Sequence, residues 1–450
     1  MPPSSTKVDA PRRAAADVIS AVDTDSAYAN LLLPRLLRER AITGRDAAFA
    51  TELTYGTLRW QGVLDEVVGA ASSRDVGTLD PPVRAALRLG AYQLLHMRTP
   101  AHAAVHATVE LARATSGPRP VGLVNAVLRK VGGADWPTWV QRLAPSDEIG
   151  RLAFTHGYPR WVALAFDRAL GGDRDELAGA LAEDRPVTHL VARPGRIERD
   201  DLLRDAGPDA TAGTWSPYAV RLGSGDPANL PAVRSGAAAV QDEGSQIAAL
   251  AAARVGLADG DSGVWLDMCA GPGGKAALLA GLLPDGGRLV CAELQPHRAR
   301  LVAGALAGDG QVVIADGRRP AWSDASFDRV LVDAPCTGLG ALRRRPEVRW
   351  RRSPDDVGRL HELQVHLLLA ALRSARPGGV IAYVTCSPHP DETRAVVDRA
   401  ASAVSGVRRL DTAAVIGVPD VGPGPDAQLW PHRHGTDAMY VSLLMPEHRS

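Results

Sequence analysis

Apolar side chains recur at helical spacing through roughly the first 145 residues of the chain. The clearest predicted helix follows Asp80, a favourable N-cap residue, and has prolines at its first two positions. From Val83 to Leu95, apolar residues return every three or four positions and so share one face. That face must be covered by neighbouring helices, so the pattern predicts an all-α bundle. The other predicted helices cover residues 12–22, 27–39, 46–56, 59–71, 102–115 and 120–131.

The pattern changes between residues 146 and 236, where helical stretches give way to short apolar strands. Strands are predicted at Val187–Arg193 and Tyr218–Leu222, with a helix at 199–205 between them. This order predicts a small α/β connector. From residue 237 onward, strands and helices alternate regularly, which predicts βαβ units and a mostly parallel sheet. Its predicted strands are Val264–Met268, Arg288–Glu293, Gln311–Ala315, Asp328–Asp333, Gly379–Thr385 and a closing strand at Met439–Leu444.

Composition limits the class of protein. A chain of 450 residues fits about three domains, and no apolar run approaches the roughly 20 residues of a membrane span. Basic and acidic residues both number 51, so a nucleic-acid site has to be a local patch. The first ten residues lack the apolar core of a secretory signal, and the four cysteines include no Cys-x-x-Cys pair. We therefore expect a cytoplasmic protein with free thiols and no metal site.

A glycine-rich loop follows the first strand of the C-terminal part, and it contains Lys275, one of three lysines in the chain. Glycines let a ligand approach the backbone, and the following helix N-terminus offers free N–H groups. Glu293 ends the next predicted strand, where an acid can bind ribose hydroxyls. An adenosine-containing cofactor suits this arrangement. The loop alone leaves open S-adenosylmethionine, a nicotinamide or flavin, and a turn without ligand, because Gly271-x-Gly273-x-x-Ala276 also satisfies the dinucleotide pattern.

Two cysteines follow buried strands of the same predicted sheet. Cys336 comes three residues after Asp333, and Cys386 directly follows the strand that ends at Thr385. Ligands of open α/β sheets bind outside the carboxyl ends of the strands, so both thiols are predicted to face the pocket of the glycine loop. The two remaining cysteines, Cys269 and Cys291, are interpreted as packing residues.

Two positioned thiols beside a methyl donor suit methylation of cytosine at carbon 5. This carbon is too weak a nucleophile to take a methyl group directly, and addition of a thiolate to carbon 6 turns it into an enamine carbon. Afterwards the carbon 5 proton must leave and the thiol must be eliminated, steps that a second cysteine can assist. Asp333 is placed to bind the base edge or the cofactor. The residue pattern does not order the two cysteines.

These motifs resemble those of the RNA 5-methylcytosine methyltransferases, in particular the bacterial Sun/RsmB-type small-subunit rRNA enzymes. The resemblance rests on Cys269-Ala-Gly-Pro-Gly-Gly-Lys275, Asp333-Ala-Pro-Cys336, Thr385-Cys-Ser387 with Pro390-Asp-Glu392, and residues Val240–Gln246. It implies that Cys386 is the nucleophile, that Cys336 assists and that Asp333 belongs to the catalytic set. It also implies a set of residues that contact S-adenosylmethionine. These are Cys269, Ala270, Gly271, Pro272, Gly273, Gly274, Lys275, Glu293, Asp316 and Asp333.

The resemblance covers nearly the whole chain and implies its organisation. Residues 89–95 and 122–129 look like parts of a NusB-type helical RNA-binding domain. The implied domains are a NusB-like domain at 1–145, a small α/β, RRM-like connector at 146–236, and a Rossmann-like class I methyltransferase domain at 237–450. The implied substrate is RNA, specifically 16S rRNA, and we expect a monomer. Gly271 stands where many relatives have alanine, and Glu293 stands where aspartate is common.

A basic segment follows the Pro-Cys motif. Residues Arg343–Arg352 contain six arginines, one glutamate and Trp350. Arginine side chains pair with phosphates, and a tryptophan ring can stack on a base. The closeness of this segment to Cys336 in sequence favours RNA contact over a solvated basic loop. The predicted RNA-binding residues are Arg343, Arg344, Arg345, Arg349, Trp350 and Arg351.

Three alternative functions stay open at this point. A tRNA cytosine-C5 methyltransferase would use the same motifs. A nicotinamide-dependent oxidoreductase would use the glycine loop but would need neither strand-end cysteine. A non-catalytic RNA-binding assembly protein would account for the helical part and leave Cys336 and Cys386 unexplained.

Overall fold

The computed structural model describes residues 8–183 and 185–447. Contacts divide the chain into two compact units. The helical unit comprises the chain up to Asp167 together with Asp173–Ala182 and Leu342–Arg352. The sheet unit comprises Arg168–Gly172, Glu183–Ala341 and the chain from Ser353 onward. The predicted boundaries differ from these units: residues 146–167 and 173–182, predicted as part of the connector, belong to the helical unit, and so do residues 342–352.

An all-α architecture in the first part of the chain confirms the expectation from periodicity. The helix capped by Asp80 begins at Pro81, and its apolar face packs into the core that the helices around it share. The helices, in chain order, are α1 (Ala10–Thr24), α2 (Ala29–Glu39), α3 (Gly44–Ser72), α4 (Pro81–His96), α5 (Ala101–Ser116), α6 (Val121–Val131), α7 (Trp136–Leu143), α8 (Glu148–Thr155), α9 (Arg160–Ala169) and α10 (Arg174–Ala182).

The sheet unit contains two sheets with helices between the strands. Short 3-10 turns occur at Val76–Thr78 in the helical unit and at Pro227–Asn229, Leu339–Ala341 and Pro390–Glu392 in the sheet unit. The remaining elements are β1 (Thr188–Ala192), α11 (Arg199–Asp205), β2 (Thr211–Ala212), β3 (Ala219–Leu222), α12 (Pro231–Arg234), β4 (Ala238–Val240), α13 (Glu243–Arg254), β5 (Val264–Asp267), α14 (Gly274–Ala280), β6 (Arg288–Glu293), α15 (Pro296–Leu306), β7 (Gln311–Ile314), β8 (Phe327–Asp333), α16 (Val348–Arg351), α17 (Pro354–Ser374), β9 (Ala375–Thr385), α18 (Arg394–Ala403), β10 (Val407–Arg409), α19 (Thr412–Ile416), β11 (Ala427–Gln428), α20 (Pro431–His434) and β12 (Tyr440–Pro446).

The larger sheet places the candidate site. Its strands lie in the order β10-β12-β9-β8-β5-β6-β7, and β11 pairs with β12 outside this path. The five strands from β9 to β7 are parallel, whereas β12 is antiparallel to β9. The chain moves outward from β5 to β7 on one side and then returns to place β8 on the other side of β5. A crevice therefore opens at the carboxyl ends of β5 and β8, where open α/β sheets bind ligands.

The smaller sheet has the antiparallel order β2-β3-β1-β4. It meets the larger sheet's helix α13 through Glu243, which is buried and accepts hydrogen bonds from the backbone N–H groups of Trp215 and Ser216 at 2.6 and 2.9 Å. Among the described residues, no helix combines the length and the apolarity that crossing a membrane requires.

Helix α3 differs from the prediction. The sequence predicts two helices, at 46–56 and 59–71, but α3 runs through the predicted break without interruption. Gly56 lies inside α3, and a Cβ atom on it would be 2.1 Å from Cζ of Tyr92 on α4. Glycine is needed at this position because the two helices pack so closely there, and the prediction of a break was wrong.

We expect Gly56→Ala to lower the free energy of unfolding by about 1–3 kcal/mol, because the added methyl group overpacks the contact with Tyr92. Urea denaturation measures the difference. Gly122→Ala is the matched control: Gly122 also lies in a helix, and a Cβ there meets nothing within 4 Å. This control should raise the free energy of unfolding by about 0.5–1 kcal/mol. Equal effects of the two substitutions would contradict the packing explanation.

Candidate active site

The thiols of Cys336 and Cys386 lie side by side, with their Sγ atoms 3.3 Å apart. Strand pairing explains this approach, because Asp333 at the end of β8 is in register with Val384 near the end of β9. The residues that follow the two strands therefore emerge next to each other at the edge of the sheet. Both cysteines are partly accessible. The structure thus brings together the two thiols that the sequence analysis placed in one pocket.

The thiol of Cys336 holds its proton more tightly than a free thiol does. The hydrogen bond with Cys386 and the burial of the thiol raise the pKa of Cys336 well above its ordinary value. Cys336 can therefore donate its S–H to the sulfur of Cys386. This suits Cys336 to a role as the group that supplies a proton.

Glu392 holds the loops of the two cysteines together, although the sequence analysis assigned it no role. Its carboxylate is fully buried and accepts hydrogen bonds from the backbone N–H of Thr337 at 2.7 Å and from the Thr337 hydroxyl. The same hydroxyl lies 3.2 Å from that of Ser387. Gln364 on α17 donates to Glu392 at 3.2 Å and to the carbonyl of Pro335 at 2.8 Å. Thr337, next to Cys336, thus connects the buried carboxylate of Glu392 with Ser387, which is next to Cys386.

Gly340 makes a second connection that the sequence analysis missed. Its N–H donates to the carbonyl of Cys386 at 2.9 Å, and its carbonyl accepts from the N–H of Ala438 at 3.0 Å. A Cβ atom on Gly340 would lie 2.0 Å from the carbonyl oxygen of Ala438. Any other residue would push the carbonyls of Ala438 and Cys386 away from the loop of Cys336. A glycine outside a recognised motif gives no signal of this role in a single sequence.

The glycine-rich loop is held against Glu293. The N–H of Gly271 donates to Oε2 of Glu293 at 3.2 Å, and Arg298 donates to the carbonyl of Gly271 at 2.5 Å. A Cβ on Gly271 would lie 2.2 Å from Oε2 of Glu293 in this arrangement. Gly273 has φ +110°, a backbone conformation that glycine tolerates, and it starts α14. The loop is therefore packed directly against the buried carboxylate of Glu293, at the carboxyl ends of β5 and β6.

Lys275 and two carboxylates form a buried charged group below this loop. Nζ of Lys275 donates to Asp333 at 2.8 Å. Burial acts to lower the pKa of Lys275, but Asp333 outweighs it and raises that pKa above its usual value. Asp267, at the end of β5, is 1% exposed, and neither of its carboxylate oxygens has a hydrogen-bond partner. Burial, reinforced by the charge of Asp333, raises the pKa of Asp267 to about 7.

Asp316 lies further from this group. It follows β7, where the N–H of the preceding Ala315 donates to the carbonyl of Glu293 at 3.2 Å. The Asp316 carboxylate accepts hydrogen bonds from Arg318 at 2.6–3.1 Å, and these lower its pKa. The backbone path places Asp316 at the same edge of the sheet, and its contact with a cofactor stays a prediction.

The basic segment is largely built into the helical unit. Arg349 is fully buried, donates to the carbonyl of Gly157 at 3.0 Å, and lies 3.6 Å from the centroid of the Tyr158 ring. Arg343 is also buried. This burial contradicts the predicted RNA contact for Arg343 and Arg349, because side chains enclosed by protein do not reach a phosphate.

Trp350 and Arg351 are anchored in the same way. The indole N–H of Trp350 donates to the carbonyl of Leu58 at 3.1 Å, and its ring occupies the space above Gly62, where a Cβ would be 2.2 Å from it. Arg351 donates to the carbonyl of Val22 at 2.9 Å and to that of Ala27 at 2.5 Å. Both side chains are half-buried, and their contact with RNA stays a prediction. RNA contact also stays a prediction for Arg344, which is half-buried, and for Arg345, which is exposed.

We expect the ligand-free protein to lose stability, relative to its Asp267→Asn variant, as the pH rises from 5 to 8. A carboxyl whose pKa is raised to about 7 by folding binds its proton more tightly in the folded state. The contribution of Asp267 to the free energy of unfolding is therefore largest below the ordinary pKa of an aspartate, and it declines as the pH rises toward 7. Urea denaturation of both proteins at pH 5, 6, 7 and 8 measures this difference. A constant difference across the four values would show that Asp267 is ionised throughout.

Comparisons with known proteins identify the family of the chain. The family model "16S rRNA methyltransferase RsmB/F" matches residues 255–445, and the NusB family model matches residues 9–132. The chain is 52% identical, over 98% of both chains, to a Mycobacterium tuberculosis protein that bears the name "Putative methyltransferase Rv1407". It is 33% identical to the ribosomal RNA small subunit methyltransferase B of Pseudomonas syringae pv. tomato, over 97% of this chain and 96% of that protein.

Solved structures share the fold. The crystal structure of PH0851 superposes with a TM-score of 0.82 and 20% sequence identity, covering 97% of this chain and 99% of that one. The structure of NSun6 from Pyrococcus horikoshii with SFG gives a TM-score of 0.56 and 18% identity over 65% of this chain and 99% of that one. The family models and the relatives that match over nearly the whole chain show which family the chain belongs to. The chain belongs to the RsmB/F family of 16S rRNA methyltransferases and is an RNA methyltransferase with a NusB-type N-terminal part.

Proposed function

We propose that the protein, acting as a monomer, transfers a methyl group from S-adenosylmethionine to carbon 5 of a cytosine in 16S rRNA, through a covalent bond between Cys386 and carbon 6. The observation that carries this proposal is the 3.3 Å separation of the Cys336 and Cys386 sulfurs at the edge of the sheet. Membership of a methyltransferase family speaks against the nicotinamide oxidoreductase and the non-catalytic assembly protein. A tRNA substrate is the remaining alternative.

The residues present fit S-adenosylmethionine. Gly271 lets the backbone of the loop lie directly against Glu293, whose carboxylate is suited to ribose hydroxyls. Asp267 offers a buried carboxylate that has no side-chain hydrogen-bond partner among the described residues, which is costly unless a ligand satisfies it. A cationic group of the ligand would do so. When bound, S-adenosylmethionine supplies an electrophilic methyl group, and residues Cys269–Lys275, Glu293 and Asp333 would hold it.

Cys386 starts the reaction. Its thiolate adds to carbon 6 of the cytosine, forming a sulfur–carbon bond and moving an electron pair to carbon 5, which becomes nucleophilic. Carbon 5 would then take the methyl group of S-adenosylmethionine, and the bond from that methyl group to the sulfonium sulfur would break, leaving S-adenosylhomocysteine. The proton on carbon 5 then leaves to water, and the electrons of the carbon–hydrogen bond restore the double bond between carbons 5 and 6. The sulfur–carbon bond breaks in the same step, and its electron pair returns to Cys386.

Cys336 assists the release of Cys386. Its high pKa keeps it protonated, and its proton can be donated to the departing sulfur 3.3 Å away. Lys275 interacts electrostatically with Cys386, because a negative charge on Cys386 contributes to raising the pKa of Lys275. By linkage, that ammonium stabilises the Cys386 thiolate. Asp333 holds Lys275 in place through their 2.8 Å hydrogen bond, and it is a positioning residue in this mechanism.

We expect Cys386→Ala to lose methyl transfer from labelled S-adenosylmethionine to a 16S rRNA transcript while it retains cofactor binding by calorimetry, because only the nucleophile is removed. Cys336→Ala should accumulate RNA bound to Cys386, visible as a slowly migrating band on denaturing gels. Cys291→Ala is the control, since Cys291 is buried within β6, away from the strand ends. Full activity of Cys386→Ala, or a band that persists in a Cys336→Ala/Cys386→Ala double variant, would contradict the mechanism.

The rRNA target is tested separately. Bisulfite sequencing of total RNA from a strain without the protein should show the loss of one methylcytosine in 16S rRNA. Loss in a tRNA instead would select the alternative substrate and leave the chemistry of the two cysteines unchanged.

A further inference from the structure

A cavity of about 520 Å³ lies in the sheet unit beside the segment that follows Cys386. Pro388 and Pro390, two and four residues after the nucleophile, form part of its wall. Tyr440 forms another part, and it pairs with Thr385, the residue before Cys386. The cavity is thus one strand spacing, about 5 Å, from the strand that ends at the nucleophile. Its other walls come from the end of α9, from α18 and from residues 421–430.

Three arginines line this cavity: Arg168, Arg394 and Arg433. All three are exposed. Within the part of the chain that the structure describes, the side chains of Arg168 and Arg394 form no ion pair or hydrogen bond, whereas that of Arg433 donates to the carbonyl of Asp420 at 3.2 Å. Arg168 also lies close to His389, whose pKa is lowered chiefly by burial and further by the charge of Arg168. Two guanidinium groups therefore point to open space next to the nucleophile segment.

The two carboxylates of the cavity do not neutralise these arginines. Asp398 accepts a hydrogen bond from Arg409 at 2.5 Å, and Asp426 also accepts one from Arg409. Asp426 accepts two more, from the hydroxyls of Tyr440 at 2.6 Å and Ser442 at 2.8 Å. Arg409 does not line the cavity, and its positive charge is paired with Asp398 and Asp426 in the cavity wall. The cavity therefore presents net positive charge to whatever occupies it.

We propose that this cavity binds the phosphodiester backbone of the RNA next to the target cytosine, with Arg168 and Arg394 as its principal ligands. The inference rests on the proposed function, because it places the flanking strand relative to Cys386. A target base must leave its stack to reach a thiol at a strand end. Fixing the phosphates beside it positions the base without reading its sequence, and arginine forks suit phosphate oxygens. An adjacent cationic cavity supplies this fixation.

The test is the double variant Arg168→Gln/Arg394→Gln in methyl transfer to a 16S rRNA transcript. We expect KM for the transcript to rise about tenfold, while kcat and KM for S-adenosylmethionine change less than about twofold, because the lost contacts are made to the RNA backbone alone. The dependence of log KM on log salt concentration should become shallower by about 0.7 for each lost phosphate contact to a single strand.

Arg399→Gln is the matched control. Arg399 lies on α18 like Arg394, is exposed and does not line the cavity. It pairs with Glu362, so its replacement removes one positive charge from the same helix without changing the proposed site. KM and salt dependence of this variant should match those of the unaltered protein. Thermal unfolding of all variants checks that they are folded.

Three outcomes would overturn the inference. The double variant could retain the KM and salt dependence of the unaltered protein, or Arg399→Gln could weaken RNA binding as much as the double variant. Inorganic pyrophosphate could also protect the arginines from phenylglyoxal when the transcript does not, which would indicate a site for a small free anion. If only this inference fails, the unaltered protein still forms the Cys386 adduct. If the proposed function fails, neither the unaltered protein nor any variant forms that adduct.

Discussion

The parallel pairing of β8 with both β5 and β9 is the constraint on which the site depends. Because three strands end side by side at one edge, residues far apart in sequence, such as Lys275, Asp333 and Cys386, become neighbours. The register of Asp333 with Val384 then decides how far apart the two sulfurs are. A slip of one residue would turn the side chains to the opposite face of the sheet. The chemistry is thus set by backbone hydrogen bonds within the core.

The electrostatics of the site follow from the same edge. Asp267, Glu293 and Asp333 all end strands that converge there, and Lys275 is the lysine placed among them. Burying several carboxylates around one ammonium is unfavourable unless further positive charge arrives. Asp267 shows the imbalance, since it is buried and its pKa is raised to about 7. A site arranged in this way gains by accepting a cation.

Much of this arrangement could be predicted from the sequence, because strand ends and glycine loops leave local patterns. Strand β6 matches its predicted bounds, and the approach of Cys336 to Cys386 follows from the rule that parallel strands present their carboxyl ends together. The shared carboxylate of Glu392 could not be predicted, because its partners lie in other segments. No local pattern reports a contact between residues 337 and 392.

The errors have a related cause. The spacing predicts a helix break after residue 56 because glycine lowers helix propensity, but tertiary packing of Gly56 against Tyr92 overrides that local preference. RNA contact is predicted for the arginine-rich segment because it closely follows Cys336 in the sequence and because arginines pair with phosphates. In the structure Arg349 is enclosed beside Tyr158, where its guanidinium lies against the ring face and donates to a backbone carbonyl. Charge in a sequence does not reveal burial when the partners are backbone groups.

The segment Leu342–Arg352 also has a consequence for how the chain is made. Helices α1 to α10 leave the ribosome first, but the side chains of Arg349, Trp350 and Arg351 complete their unit. About 170 further residues must be synthesised after α10 before this segment emerges, which at 5–20 residues per second takes roughly 10–35 s. During that interval, the groove above Gly62 that receives Trp350 lacks its occupant. The N-terminal helices are therefore not a finished domain until most of the second unit has been translated.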